Sequence, residues 1–221
     1  MCHVKQPQAE LITTSRKPKN FYDRIADVHN LALKLNGYKD SVAKFLKSLH
    51  LDVTPDTMVL DAGSGTGIVT LALHQAGFRP KKTIAFDLSR NSLKLAVEQA
   101  RKEKKVDARN IEAVQGNVLS IPFADESFDI VLSCGVLEYV DLSDGLSEFA
   151  RVLKPGGKLV LLPVKPSLVG SVLEIIYNFK IHPLKDVRKI SQRFFNIVGE
   201  HDFPIAEPIA WSKAIFLLEK K

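Results

Sequence analysis

Short apolar runs alternate along the chain with longer stretches in which apolar residues recur every three or four positions. The short runs predict buried strands, and the longer stretches predict amphipathic helices. After the breaker Pro55, residues 59–61 predict a strand, a glycine-rich turn follows, and residues 68–76 predict a helix. The alternation continues to about residue 164, which is typical of a parallel sheet with helices on both faces.

The pattern predicts seven strands and the helices between them. The strands span residues 59–61, 83–86, 110–114, 128–133, 158–164, 195–198 and 209–218. Ser89 is expected to cap the helix after the second strand. Ser143 is expected to open the helix that the run 154–157, Lys-Pro-Gly-Gly, brings to an end. The chain is therefore predicted to form one α/β domain.

Helices are also predicted before the first strand. Residues 1–19 are interpreted as a loose basic tail, residues 20–36 as a helix that ends at Gly37, and a second helix starts at Asp40. We expect the domain to span residues 20–221, with N-terminal helices over residues 20–50. Tyr22, Asp23 and His29 lie on the first helix, either as ordinary surface or core residues or as part of a cover over a ligand.

Composition changes this picture little. The 221 residues are 45% hydrophobic and 25% charged, as in an ordinary globular domain. Cys2 and Cys134 have neither metal-ligand nor C-x-x-C spacing, so we expect no metal site and a reducing, cytoplasmic setting. No apolar run approaches the ~20 residues of a membrane span. The net charge of +6 permits attraction to nucleic acid, anionic lipid or an acidic substrate without indicating any of them.

The glycine-rich turn is the strongest chemical signal. Asp61 ends the first strand, and glycines follow at positions 63, 65 and 67. Glycines let the backbone adopt positive φ and approach a ligand closely, and the next helix offers free N–H groups. The dinucleotide fingerprint would need a third glycine at position 68, where Ile68 stands, and no Walker pattern is present. The Asp61 carboxylate would repel a pyrophosphate but not a ligand with an ammonium and a sulfonium.

Together with later stretches, this turn resembles the motifs of the class I S-adenosylmethionine-dependent methyltransferases. The matching stretches are residues 61–67, 87, 116–117, 121–129, 135–140 and 153–158. The chain resembles most the small-molecule branch that includes the ubiquinone and menaquinone C-methyltransferases, whose opening helix bears a Tyr-Asp like Tyr22-Asp23. It departs from that branch at Asn117, where Asp is usual. The resemblance implies a Rossmann-like domain, with a seven-stranded, mostly parallel sheet and an antiparallel last strand.

The resemblance also implies a set of cofactor-binding residues for S-adenosylmethionine. They are Tyr22, Asp61, Gly63, Ser64, Gly65, Gly67, Asp87, Leu88, Asn117, Val118, Ser133 and Cys134. By position, the glycine turn holds the methionine end, Asp87 and Leu88 the ribose and adenine, Asn117 and Val118 the adenine, and residues 133–134 the sulfonium side. Alternatively, Asp87 merely starts the next helix, and Asn117 serves only in a turn.

The methyl acceptor is expected to bind against an apolar segment that follows the fifth strand. Residues 167–179 are strongly apolar, and we interpret residues 165–194 as a substrate-side insertion. This favours a small, partly apolar acceptor such as a quinone, a lipid or another metabolite, although packing against the sheet is an equal alternative. Four basic residues at helical spacing form one stripe for weak contact with a membrane surface or, more simply, a solvated face. They are Lys185, Arg188, Lys189 and Arg193.

Methyl transfer requires alignment and exclusion of water more than a fixed base. The candidate bases are Tyr22, His29, Glu138, Tyr139, His182 and His201. The pattern selects none of them. The Asn/Asp-Pro-Pro-aromatic motif of amino-methylating enzymes is absent, which disfavours nucleic-acid and protein substrates. Two alternatives remain: a cofactor-binding regulatory protein without turnover, and a nicotinamide-dependent oxidoreductase, which Ile68 disfavours.

Overall fold

The computed structural model describes residues 37–49, 51–104 and 106–221. The predicted tail, the first predicted helix and Tyr22 therefore lie outside the described residues. The described α-helices are α1 (Tyr38–Ser48), α2 (Ile68–Gln75), α3 (Arg90–Lys102), α4 (Leu142–Val152), α5 (Leu168–Tyr177) and α6 (Leu184–Ser191). The described strands are β1 (Met58–Ala62), β2 (Lys82–Asp87), β3 (Ile111–Gln115), β4 (Phe128–Cys134), β5 (Leu153–Leu162), β6 (Phe195–His201) and β7 (Ile215–Lys220).

The strands form one seven-stranded sheet in the order β3-β2-β1-β4-β5-β7-β6. The pairs β1–β2, β1–β4, β2–β3 and β4–β5 are parallel, and β7 runs antiparallel to both β5 and β6. The predicted fold class is thus confirmed, including the antiparallel last strand. The strand order reverses between β1 and β4, and ligands of open α/β sheets bind beyond the carboxyl ends of the strands at such a point.

Side chains of each central strand alternate between two hydrophobic cores. Val59 of β1 packs with Val42 and Leu46 of α1 and with Leu73 of α2. Its neighbour Leu60 belongs to the opposite core, which α4 and α6 cover. Because successive side chains of a strand point to opposite faces, helices on both faces are needed to bury a strand that is apolar at every position.

Two predicted strand boundaries are wrong. Residues 208–211 form a 3₁₀ turn that begins with Pro208, and β7 starts only at Ile215. The fifth strand begins at Leu153, directly after α4, rather than at residue 158. Its register moves from the pair Phe128–Leu153 to the pair Ile130–Lys158, so residues between them bulge out of the ladder. The proline and glycines in the bulge break regular structure, so in the sequence they resemble the end of a helix and hide the start of the strand.

Predicted helix ends are partly corrected as well. The Ser89 hydroxyl accepts a hydrogen bond from the N–H of Ser92, which confirms Ser89 as the cap of α3. For α4 the cap is Asp141 rather than Ser143, because the Asp141 carboxylate accepts from the N–H of Ser143. Helix α6 ends at Ser191, so Arg193 is not part of a helical stripe with the other three basic residues.

Candidate functional site

The glycine turn lies between the ends of β1 and β2. The N–H groups of Gly63 and Ser64 both donate to the carbonyl oxygen of Phe86, at 2.8 and 3.0 Å. Gly63 has φ +74°, and a Cβ there would come within 2.5 Å of the Val136 side chain. Gly65 has φ +52°, and no atom of the described residues lies within 4 Å of an added Cβ there. The turn is therefore packed on one side and open on the other.

Asp87 holds this turn through its carboxylate. Its Oδ2 accepts a hydrogen bond from the Gly65 N–H and its Oδ1 accepts one from the Ser89 N–H, each at 2.8 Å. Burial raises the pKa of Asp87, and these backbone hydrogen bonds partly oppose the rise. A carboxylate offers about four acceptor positions, so Asp87 can still accept further donors. Asp87 therefore joins the start of the next helix, as the alternative for this residue predicts, and the ribose contact stays a prediction.

Asp61 is buried beneath the same turn. Its Oδ2 accepts hydrogen bonds from both the N–H and the hydroxyl of Thr70, at 2.9 and 2.6 Å. Its Oδ1 is buried without a partner among the described residues. Burial raises the pKa of Asp61 to about 7; the Thr70 hydrogen bonds oppose this rise, and the charge of Asp87 adds to it. A carboxylate oxygen with a desolvated lone pair is suited to a cationic donor.

A cleft of about 230 Å³ opens beside the turn. We call the residues of the glycine turn that line it, Gly63 to Thr66, the donor wall. We call Tyr139, Leu173, Tyr177 and Phe179 the acceptor wall. The ring of Phe179 makes an edge contact with Tyr139 at 5.5 Å and stacks on Tyr177 at 6.4 Å, both measured between ring centroids. The cleft thus joins a backbone-rich polar surface to an aromatic one.

Tyr38 and Cys134 meet in this cleft. The Tyr38 hydroxyl and the Cys134 Sγ lie 3.1 Å apart, within hydrogen-bonding distance. Burial raises the pKa of Tyr38 well above its ordinary value, and the nearby Cys134 and Glu138 raise it further. Tyr38 therefore keeps its proton at neutral pH, which makes it a poor base, and either the hydroxyl or the thiol can donate the hydrogen bond.

Glu138 is buried next to the cleft. Only 4% of its surface is exposed, its Oε1 accepts a hydrogen bond from the Val164 N–H, and its Oε2 has no partner among the described residues. Two other candidate bases are engaged elsewhere. The His182 ring lies 3.0 Å from the Leu137 carbonyl oxygen, and the His201 ring packs against Phe45. No metal-binding cluster of His, Cys, Asp or Glu occurs in the described part of the chain.

The remaining predicted cofactor residues are placed unevenly. Leu88 is 71% exposed beside Asp87, whereas Val118 is only 6% exposed and packs into the core. The Asn117 Oδ1 accepts a hydrogen bond from the Leu119 N–H at 3.0 Å, which is a turn contact. Ser133 is fully buried, and its hydroxyl has no partner among the described residues. Only Cys134 of the sulfonium-side pair lines the cleft.

Sequence reasoning missed three contributors to the site. Thr70 holds Asp61, Tyr38 lies against Cys134, and Lys213 lines the cleft. Thr70 and Tyr38 lie within helices and follow no motif. Lys213 carries a weak signal, since it is a lysine within an otherwise apolar run before the last strand.

The family model described as "Methyltransferase domain" matches residues 60–161, which contain the donor wall and both aspartates. A curated demethylmenaquinone methyltransferase of Shouchella clausii (strain KSM-K16) is 35% identical over 161 residues, 72% of this chain and 66% of that protein. The chain belongs to the methyltransferase domain family. Membership of this family confirms the predicted enzyme class, an S-adenosylmethionine-dependent methyltransferase, and the predicted cofactor.

Other relatives agree with this membership. A demethylmenaquinone methyltransferase of Bacillus cereus (strain ATCC 10987 / NRS 248) is 29% identical over 167 residues, covering 74% of this chain and 69% of that protein. The matched part of this chain thus spans about two thirds of the length of these curated relatives.

Solved structures match the fold. Geranyl diphosphate C-methyltransferase from Streptomyces coelicolor A3(2) superposes with a TM-score of 0.67 at 18% identity, covering 81% of this chain and 75% of that one. A putative methyltransferase solved with the Haloferax volcanii Trm112 activator superposes with a TM-score of 0.70 at 18% identity, covering 91% and 96%. At such identities the agreement concerns the methyltransferase fold alone.

The described residues fit the cofactor of the family. The Asp61 Oδ1 is a buried acceptor to which no described residue donates, and the side of Gly65 that the described residues leave open is space that any side chain would fill. Neither feature contributes to packing. The carboxylate oxygen suits a ligand with an ammonium group, and the open side of the glycine suits a ligand that lies close to the backbone.

Proposed function

We propose that this protein transfers the methyl group of S-adenosylmethionine to a small, partly apolar acceptor bound against the acceptor wall. The observation that carries this proposal is the shared cleft, in which the donor wall and the aromatic residues face one space. A methyl donor on one side and an apolar acceptor on the other is the arrangement that an in-line displacement needs.

The cofactor-binding residues follow from their contacts. Asp61 would accept the ammonium of the methionine end with its free Oδ1, and the open backbone at Gly65 would lie against the same end. Asp87 would accept the ribose hydroxyls with the lone pairs that Gly65 and Ser89 leave free. Leu88 would cover the adenine with its exposed side chain. We expect Asn117, Val118 and Ser133 to contact the cofactor less than Leu88 does.

The chain's own residues would align the methyl donor with the acceptor and exclude water from the cleft. The cofactor supplies a methyl group on a positively charged sulfur, which is reactive without further activation. Tyr38 and Cys134 would fix the position of the sulfonium side, and the rings of Tyr139 and Phe179 would keep water from the acceptor. A base from the protein is not required for an acceptor that arrives already deprotonated.

The acceptor class is supported by what the relatives are named for. The curated relatives are demethylmenaquinone methyltransferases, and a structural neighbour is a geranyl diphosphate C-methyltransferase. Both names describe small metabolites rather than nucleic acids or proteins. We therefore favour a quinone, a lipid or a similar partly apolar metabolite, in agreement with the aromatic lining of the cleft.

The outer face of α5 supports a weak contact with a lipid surface. Leu168, Val172 and Ile175 are 90%, 55% and 79% exposed and repeat at helical spacing. Lys185 and Lys189 of the following helix are also exposed. Among the described residues, no helix combines the length and apolar character that a membrane crossing needs. The free thiol of Cys134 supports a reducing, cytoplasmic setting.

The test combines binding with turnover. S-adenosylhomocysteine should bind in titration calorimetry, and labelled S-adenosylmethionine should pass its methyl group to a component of a metabolite and lipid extract. Binding without any labelled product would instead support the regulatory protein without turnover. Tight binding of NAD in place of S-adenosylhomocysteine would exclude the proposed function altogether.

A further inference from the structure

Lys213 places a positive charge inside the cleft. The residue precedes β7, is only 7% exposed, and lines the cleft together with Gly63 and Cys134. Its Nζ lies over Gly135, where an added Cβ would be 2.8 Å from that nitrogen. Among the described residues that line the cleft, Lys213 alone carries a full charge. The ammonium is therefore located next to the carboxyl end of β4, in the cleft that the donor and acceptor walls share.

No carboxylate of the described residues lies within 4 Å of this ammonium. None of the ion pairs or side-chain hydrogen bonds of the described residues involves the Lys213 Nζ. The nearest acidic group by connectivity is Glu138, which binds the N–H of Val164, the bridge partner of Lys213. Lys165, on the same short segment as Val164, pairs instead with Asp202 outside the cleft. An ammonium at the wall of a partly enclosed cleft attracts a negative charge more strongly than one in open water, so a ligand that brings an anionic oxygen would be favoured there.

We propose that Lys213 binds an anionic oxygen of the methyl acceptor, and that the acceptor is therefore an acidic phenol, enol or carboxylic acid bound as its anion. This inference rests on the proposed function and specifies its substrate class. A protonated amine or another cationic acceptor would be repelled at this position.

An anionic acceptor also balances the reaction without a base. The acceptor anion supplies the electron pair that forms the new bond to the methyl carbon. The electron pair of the broken carbon–sulfur bond stays on sulfur, which becomes a neutral thioether. The positive charge of the donor and the negative charge of the acceptor are consumed together. When the anionic oxygen takes the methyl group, no proton has to leave; when a carbon of the phenolate or enolate takes it, the proton on that carbon moves to the oxygen afterwards. The raised pKa of Tyr38, which makes that residue a poor base, agrees with this chemistry.

The carboxylate of the cofactor is the other anion available to the site. The position of Lys213 argues for the acceptor, because its Nζ contacts Gly135, next to the sulfonium-side residue Cys134. The methionine end is instead expected near Asp61 and Gly65. Removal of the ammonium should therefore weaken acceptor binding and leave cofactor binding nearly unchanged.

Two matched probes test the charge preference on protein saturated with S-adenosylhomocysteine. The first probe is 2-hydroxy-1,4-naphthoquinone, an acidic enol that is an anion at neutral pH, and the second is its neutral methyl ether. Wild-type protein should bind the anion about 10- to 100-fold more tightly than the ether, the range for a charge-assisted hydrogen bond. Lys213→Met should abolish this ratio, and Lys213→Arg should keep part of it. Lys165→Met, which removes a charge outside the cleft, should keep all of it.

Each outcome decides between the possibilities. No preference in the wild type, no binding of either probe, or an unchanged ratio in Lys213→Met would overturn the inference while leaving the proposed function in place. Weaker binding of S-adenosylhomocysteine to Lys213→Met, about tenfold or more, would assign the ammonium to the cofactor and also overturn it. Failure of the wild type to bind S-adenosylhomocysteine would instead reject the proposed function. Lys213→Gln replaces Lys213→Met if thermal unfolding shows that the methionine variant does not fold.

Discussion

The donor wall and the acceptor wall differ in what fixes their atoms. On the donor side, backbone groups and carboxylates hold one another: Gly65 donates to Asp87, and Thr70 donates twice to Asp61. On the acceptor side, three aromatic rings touch edge or face, and the helix that carries Tyr177 exposes much of its apolar surface. Hydrogen bonds impose fixed distances, whereas ring contacts tolerate displacement. The comparison suggests a donor site of fixed shape beside an acceptor site whose lining can change.

The strongest test of the donor wall fills its open side. Gly65→Leu should lower the affinity for S-adenosylhomocysteine by at least about 1000-fold, or ~4 kcal/mol, because the new side chain occupies the ligand's space. The backbone should tolerate the change, since an added Cβ meets no atom within 4 Å and the positive φ costs about 1–2 kcal/mol.

Gly156→Leu is the matched control. Gly156 has φ +74° and open space around an added Cβ, but it lies in the bulge of β5, away from the cleft. Both variants should lose similar amounts of stability in denaturant unfolding, while calorimetry should detect a loss of affinity only at position 65. Equal affinities in the two variants would remove the open side of the turn from the cofactor site.

The acceptor wall is tested by a pair on one helix. Leu173 lines the cleft, whereas its neighbour Ile176, 44% exposed, does not. Leu173→Asp should reduce turnover about 100-fold, because a carboxylate in an apolar contact costs about 2 kcal/mol or more. Ile176→Asp should leave turnover within about twofold, since that side chain already meets water.

Binding of S-adenosylhomocysteine separates the interpretations of the Leu173 pair. Intact cofactor binding with lost turnover supports an acceptor site. Unfolding of Leu173→Asp would show that the segment is core packing, the alternative that the apolar sequence left open. Equal losses of turnover in the two variants would contradict the division of α5 into a cleft side and an outer side.

The buried carboxylate of Asp61 predicts how pH acts on the donor site. Binding of an ammonium requires the ionised form, and the pKa of about 7 lies well above the ordinary value of 3.8. Affinity for S-adenosylhomocysteine should therefore fall about tenfold per pH unit below 7 and level off above it. Calorimetry in several buffers should show a proton released on binding near pH 6.

The same shift has an opposite effect on stability. Between pH 3.8 and about 7 the native state binds more protons at Asp61 than the unfolded state, so the free energy of unfolding falls as pH rises through this window. Asp61→Asn should remove this loss and unfold at a higher denaturant concentration than wild type at pH 8. It should also bind S-adenosylhomocysteine more weakly by about 1.5–3 kcal/mol, with little dependence on pH. If Asp61→Asn kept the wild-type pH dependence of unfolding and of S-adenosylhomocysteine binding, a titrating group other than Asp61 would be responsible for that dependence.

The donor wall and the two aspartates beside it were largely predictable from the sequence, and the acceptor was expected at residues 167–179, but two other residues of the cleft, Lys213 and Tyr38, were not predictable. Asp61, Gly63, Gly65 and Asp87 stand at strand ends, where local order in the sequence fixes their place in space. Lys213 and Tyr38 reach the cleft from distant parts of the chain, and only packing brings them together. Residues 209–218 were predicted as one strand, in which Lys213 would be an ordinary strand residue. In the structure Lys213 lies between a 3₁₀ turn and the start of β7, and this break in the strand is what the sequence did not show.

The smallest expected effect concerns Asn117, where the related branch usually has Asp. In this structure the Asn117 Oδ1 accepts from the Leu119 N–H, and Val118 is buried in the core, so the turn accounts for most of what the two residues do. Aspartate can accept the same hydrogen bond, so Asn117→Asp should change the affinity for S-adenosylhomocysteine by less than about twofold. Asn117→Ala removes the acceptor and should lower the free energy of unfolding by about 1 kcal/mol. A tenfold or greater gain in affinity with Asp would show that position 117 contacts the adenine directly, and would move it from the turn to the donor site.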